Sequence, residues 1–410
     1  MRLATGALAI MFAALASCSQ PETDQSAADA TMRVEDRLML QLIDAQPGDV
    51  IEIPAGTFSF TRGLSLTADG VTIRGQGMDK TVLSFADQIA GAEGLLVTAS
   101  DFTIEDLAIE DAKGDGLKIN EGENITIRRV RAEWTGGPKT ENGAYGIYPV
   151  QTTNVLIEDT VTIGASDAGL YVGQSKDVIV RRNRAEYNVA GIEIENTVNA
   201  DVYENIATNN TGGILVFNMP QLQQAGEATR VYNNQIFSNN VENFGHPGTP
   251  VASVPAGSGV MINSNDRVEI FDNQISDNKT GNIIISSLFT TGYSESSTSE
   301  TFDAYPESIF IYDNIFSGGG NAPDQPELEM ARLALFGADG RLPDIIWDGF
   351  YDAEKMVDGV MPDTLRICID NGDAGILNAN GPSGFTQPST DMTPFQCSLE
   401  RLPAISLDRT

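Results

Sequence analysis

Residues 169–217 read GLYVGQSKDVIVRRNRAEYNVAGIEIENTVNADVYENIATNNTGGILVF, and two repeating registers run through them. In one, a glycine opens an alternating strand: Gly169 (GLYV), Gly191 (GIEI) and Gly213 (GILV), each 22 residues after the last. In the other, two apolar residues flank one outward position and an asparagine follows: Val178, Val180 and Asn183, then Ala200, Val202 and Asn205. Alternation with period two sends the apolar set of a strand to one face. A unit of about 22 residues is too small to enclose a core alone, so successive units must stack and share one.

Outward from this stretch, the glycine register continues at Gly116 (GLKI), Gly146 (GIYP), Gly259 (GVMI) and Gly281 (GNII). The last two are again 22 residues apart, and insertions lengthen the other steps. The second register continues as Thr229, Val231, Asn234, then Val268, Ile270, Asn273, then Ile309, Ile311, Asn314. Earlier coils hold Leu107, Val130 and Thr160 at the asparagine position. Stacked asparagines pass side-chain hydrogen bonds from one coil to the next. The pattern predicts an all-β chain: a right-handed parallel β-helix, a solenoid of about ten coils between Val50 and Ser317 at a spacing of about 4.8 Å. A leucine-rich repeat has a similar period, but the inward positions here are Val and Ile, with no helical segment in each repeat.

The ends read differently. Arg2, the apolar run Ala7–Leu15 and the small residues before Cys18 have the layout of a signal peptide over residues 1–17. The run is too short to span a bilayer. Leu15-Ala16-Ser17-Cys18 resembles the lipobox of bacterial lipoproteins, which implies that Cys18 is lipidated and becomes the mature N-terminus; a plain secretory signal is the alternative. Residues 18–31 then form a flexible tether, too polar to bury surface. Residues 32–320 hold the β-helix, opened by a short capping helix with Val34, Leu38, Leu42 and Ile43 at helical spacing before Pro47-Gly48. From Asn321 the period stops, and residues 321–410 form a C-terminal cap with a helix at PELEMARLALFG. Cys368 and Cys397, the only cysteines left in an exported body, are expected to form a disulfide.

The chain carries 25 Lys+Arg against 57 Asp+Glu, a net charge of -32, which excludes nucleic acid as a partner. Membrane attachment must then come from the acyl anchor. Acidity also repels anionic polymers at long range, though adaptation to salty surroundings explains it equally well. No metal motif stands out: one histidine, His246, and two body cysteines are too few for a zinc site. No cofactor is expected, with calcium open but without a specific motif.

Two outer columns precede the asparagine corner. Glu105, Arg128, Glu158, Arg181, Tyr203, Tyr232, Phe271 and Tyr312 form one, and Asp106, Arg129, Asp159, Arg182, Glu204, Asn233, Asp272 and Asp313 the other. Alternating charges on neighbouring coils satisfy each other, and the four aromatics are expected to stack among themselves. The glycine strands present Lys118, Tyr148, Tyr171, Glu193, Leu215 and Met261 outward, with Glu195 beside Glu193. This is the most ligand-like face, with Lys118, Tyr148, Tyr171 and Glu193 as candidate binding residues; an ordinary exposed sheet is the alternative.

The repeat, PGDVIEIPAGTF at 47–58 and GVTIRGQGMDKTVL at 70–83 resemble the pectate-lyase-like superfamily of right-handed β-helices. The tether, repeats such as VEIFDNQISDN at 268–278 and the ending CSLERLPA at 397–404 resemble a family of exported β-helix lipoproteins within it. Members of that family are often encoded beside a second exported protein, so the resemblance implies a protein partner. Tyr145-Gly146-Ile147-Tyr148-Pro149-Val150 resembles the active-site strand of alginate C5-epimerases, Tyr-Gly-Phe-Asp-Pro-His. That resemblance implies catalytic places for Tyr145 and Lys118, while Tyr148 replaces the aspartate and Val150 the histidine. Neither the clustered aspartates of polygalacturonases nor the arginine and calcium-ligand set of pectate lyases is present.

Glu193 and Glu195 would lie roughly 7 Å apart, as in inverting glycosidases, but side chains at i and i+2 point the same way. Lys118, Tyr145, Glu193 and Glu195 are therefore the candidate catalytic groups of a lyase, epimerase or glycoside hydrolase, without a complete set for any. His246, in the insertion VENFGHPGTPVASVPAGSG, reads as a turn residue. Two functions follow: a lipid-anchored bacterial envelope protein, on the outer membrane, that binds or modifies a polysaccharide, or a non-catalytic scaffold that docks a second exported protein.

Overall fold

Asparagine and aspartate tolerate the left-handed backbone region better than other residues with a Cβ, and they hold five of the eight positions of the second outer column, where the coils turn. In the computed structural model, which describes residues 32–291 and 298–407, Asp106, Arg129, Asp159, Arg182, Glu204, Asn233, Asp272 and Asp313 all have φ between 50° and 61°. These residues are the second outer column, and in eight successive coils they separate two faces. The third face is the glycine register, an eleven-stranded parallel sheet from Arg62–Leu66 to Ile376–Asn378. The other two faces total nineteen strands, joined in two coils by the continuous strands Thr103–Glu110 and Glu123–Glu133. The chain is a right-handed parallel β-helix. Its interior is a single run of buried Val, Ile and Leu.

The asparagine ladder is continuous. Each Oδ1 accepts from the Nδ2 of the preceding coil: Asn183 to Asn205, Asn205 to Asn234 and Asn234 to Asn273 at 3.0 Å, then Asn273 to Asn314 and Asn314 to Asn371 at 2.9 Å. A second ladder, not singled out in the sequence, links Asn188, Asn210, Asn239 and Asn278 at 3.0–3.2 Å. Both are buried except at the terminal Asn371, and the buried rungs satisfy polar atoms that would otherwise lie unpaired in the core.

The ends depart from expectation in two ways. Helix α1 (Val34–Asp44) caps the first coil through Leu38 and Leu42, but Ile43 is 74% exposed. One residue beyond Leu42 is a turn of about 100°, away from the coil. The stack also runs past residue 320: Ile345–Trp347 and Ile376–Asn378 extend the glycine sheet, and Ile367–Asp370 extends its neighbour. These strands are three or four residues long with long intervening segments, so they leave no visible period. Helix α2 (Pro326–Phe336) lies beside the solenoid, its Leu328 and Phe336 against Ile346 and Leu377. The terminal cover is Phe395, edge-on to Trp347 at 5.7 Å, with Met392 against the same core. The expected Cys368–Cys397 disulfide is formed, with an S–S distance of 2.04 Å. The signal peptide, Cys18 and the tether lie outside the described residues.

Candidate tyrosine–carboxylate site

Parallel register fixes which outward residues of the glycine sheet meet. Lys118 pairs with Tyr148, Tyr171 with Glu193, Glu193 with Leu215, and Leu215 with Met261. Gly173 pairs with Glu195 in the adjacent column. Tyr145 joins the group: its ring is 4.5 Å from Tyr148 and 4.6 Å from Tyr171. Tyr148 and Tyr171 meet edge to face at 88°, 4.9 Å apart. Lys118 Nζ sits 4.9 Å over the Tyr148 ring and lies 3.9 Å from Asp115 and 4.0 Å from Glu93.

The tyrosine hydroxyls reach carboxylates. Tyr171 donates to Glu195 Oε1 at 2.5 Å, and Tyr145 donates to Asp167 Oδ2 at 3.4 Å. The Tyr171 ring reaches Glu195 by crossing Gly173, where an added Cβ would lie 2.3 Å from ring carbon Cε1. Tyr171 is only 5% exposed and Glu193 only 4%, and Glu193 Oε2 has no hydrogen-bond partner. Tyr171 packs on Ala168, Val189 and Ala190, so it has a structural role beyond any ligand.

Burial sets the protonation of this group, because it penalises the charged form. It pushes Asp115 up to about 6 against the pull of Lys118. It pushes Asp167 up to about 7, with the Glu195 charge adding to the rise. Glu195 goes up to about 7 despite the Tyr171 hydrogen bond. Burial, then Asp167 and Glu195, raise Glu193 well above the ordinary range. Tyr148 is pushed up to about 12 by burial, and Tyr145 and Tyr171 are raised further, so all three hydroxyls stay protonated donors. Carboxyls that titrate near neutral pH are suited to general acid or base work.

Asp115, Asp167 and Glu93 were not legible as site residues. Asp115 precedes Gly116, and Asp167 stands two before Gly169, so the signal was an aspartate at the turn that opens a glycine strand. Val150 is buried and Tyr148 half-buried. His246 is exposed in a turn whose carbonyl accepts from Thr249.

Beyond Glu193 the face becomes apolar. The insertion at 238–257 lays Val251 and Val254 among Leu215, Phe217 and Met261. Past it, Met261, Ile284, Ile346, Leu328, Phe289 and Phe385 line a groove of about 400 Å³. The arginines of the charge column are engaged: Arg128 and Arg129 with Glu105, Arg181 and Arg182 with Glu158. Tyr203, Tyr232, Phe271 and Tyr312 stack on each other at 4.8 Å within 10° of parallel. Arg401 lies over the last of them, 3.5 Å from the Tyr312 ring. Among the described residues, one carboxyl trio, Asp266, Asp303 and Glu307, is compact enough for a metal ion. Lys355 already bonds Asp303 and Glu307.

A family described as the right-handed β-helix region matches residues 65–223, the coils that build the tyrosine–carboxylate site. Among solved structures, the chain is similar to the A-module of the Azotobacter vinelandii mannuronan C-5 epimerase AlgE4, at 20% identity and a TM-score of 0.48, covering 79% of this chain and 86% of that one. It is likewise similar to the A-module of AlgE6 from the same organism, at 18% identity and a TM-score of 0.49, covering 79% and 84%. The periplasmic alginate epimerase AlgG follows at 13% identity and a TM-score of 0.44, covering 67% and 74%. No curated protein sequence matches the chain.

Proposed function

We propose that this chain binds carbohydrate on the outer face of its glycine sheet, at the cluster of Lys118, Tyr145, Tyr148 and Glu195. The supporting observation is the convergence of three mutually touching tyrosines with the carboxyls of Asp167, Glu193 and Glu195, two of which accept from tyrosine hydroxyls. Aromatic faces suit the apolar side of a sugar ring, and fixed carboxyls accept from its hydroxyls. The same carboxyls are able to exchange protons, so a modifying activity would use this site too. The Cys368–Cys397 bond supports export to an oxidising compartment. With Cys18 lipidated, the protein would sit on the outer membrane of a bacterium; no described helix is long and apolar enough to cross a membrane.

A glycan array is the first test: at least one glycan class should be retained by wild type and released by Tyr148→Ala, and a blank array would contradict the reading. Labelling with fatty acid tests the anchor, since wild type should incorporate label and Cys18→Ala should not. A second reading, docking of another exported protein, is favoured by the apolar groove at Met261, Ile284 and Ile346 and by the exposed Phe289 and Phe385 on its rim. A pull-down from envelope extract with Phe289→Ser and Phe385→Ser separates it from glycan binding.

A further inference from the structure

We propose that the ligand of this site is a positively charged sugar, whose ammonium group sits among Asp167, Glu193 and Glu195, as a chain of de-N-acetylated amino sugars would supply. The inference rests on the carbohydrate reading above. Lys118 answers the Asp115 and Glu93 end of the cluster, at 3.9 and 4.0 Å. At the other end no described Lys or Arg pairs with Asp167, Glu193 or Glu195, and the donors that reach them are the neutral hydroxyls of Tyr145 and Tyr171.

Glu193 is the second observation. It is 4% exposed, and its Oε2 has no hydrogen-bond partner, whereas buried polar atoms normally have one. A carboxyl in that state lacks a donor that a ligand can bring. A divalent cation is a poor candidate, because among the described residues only the trio at Asp266 brings three ligand atoms within 4.8 Å of each other. An ammonium needs no such tight cage, and its sugar ring has the faces of Tyr145 and Tyr148 beside it. The bordering insertion adds apolar Val251 and Val254 and no Lys or Arg. A net charge of -32 draws a cationic polymer to the chain from a distance and repels a uronate polymer.

Protonation gives the proposal its signature. Burial raises these carboxyls, so near neutral pH part of the group holds protons that an arriving ammonium must displace. Calorimetry on the mature protein would compare short glucosamine oligomers, their N-acetylated counterparts and mannuronate oligomers. At about pH 7 the glucosamine oligomers should bind about tenfold tighter than the N-acetylated ones, weaken about tenfold at about pH 5, and release protons on binding, read as a dependence of the heat on buffer ionisation. Glu193→Gln should lose about tenfold for glucosamine and so remove the preference for the charged over the N-acetylated oligomers. Equal or tighter binding of neutral or mannuronate oligomers, or no proton release by wild type, overturns the charged-sugar inference and leaves carbohydrate binding standing. Binding of no oligomer, together with a blank glycan array, overturns both.

Discussion

Tyr171 donates to Glu195 Oε1 on the next coil at 2.5 Å, and the absence of a side chain at Gly173 is what lets its ring lie across the strand to do so. Gly173→Ala would place a methyl 2.3 Å from that ring. The ring must move, the hydrogen bond to Glu195 breaks, and the fold should lose about 1–3 kcal/mol in urea titration, with loss of glycan affinity. A variant of unchanged stability and affinity would show that this contact organises nothing.

Glu193→Gln should change stability in a pH-dependent way. A carboxyl raised by folding prefers its protonated form in the fold, so its contribution is complete below the ordinary carboxylate range and disappears as pH rises through the folded value. For this group, with Asp167 and Glu195 raised to about 7, that loss falls between about pH 4.5 and pH 7 and above. The amide cannot ionise. The variant should match wild type near about pH 4.5 and exceed it by on the order of 1 kcal/mol at about pH 8. A difference of the same size at both pH values would contradict the assigned burial of charge.

Breaking the Cys368–Cys397 bond should loosen the chain end. The bond spans 29 residues, and restricting the unfolded chain over such a loop contributes about 3 kcal/mol. Beyond it the tail runs back along the aromatic column, with the Leu402 amide donating to Glu269 at 2.7 Å and the Ile405 amide to Asp201 at 3.1 Å. A double Cys→Ser variant should therefore melt lower and be cut by trypsin after Arg401 faster than wild type. Equal cleavage rates would mean that the tail is held by its own contacts.

Period and alternation carried most of the architecture, because in a solenoid a local pattern dictates a global stack. Val178, Val180 and Asn183 recur as Ala200, Val202 and Asn205, and the structure pairs them in that register. The second asparagine ladder at Asn188, Asn210, Asn239 and Asn278 has the same spacing but lies among polar corner residues, where an asparagine carries little contrast. The late strands at Ile345, Ile367 and Ile376 were hidden by their brevity. The site was half legible. Column membership of Lys118, Tyr148, Tyr171 and Glu193 follows from strand parity. The edge-to-face turn of Tyr171, the burial of Glu193 and the arrival of Asp115 and Asp167 from turns depend on side-chain packing, which no periodicity encodes.

The central claim is that the tyrosine–carboxylate cluster is where carbohydrate binds, and titration of one retained glycan against wild type and Tyr148→Ala tests it most directly. Tyr148 is only half-buried, so the variant should keep the wild-type melting temperature to within a few degrees while affinity falls about tenfold or more, the loss of one aromatic contact. A folded variant that binds the glycan as tightly as wild type would contradict the account and place the ligand elsewhere.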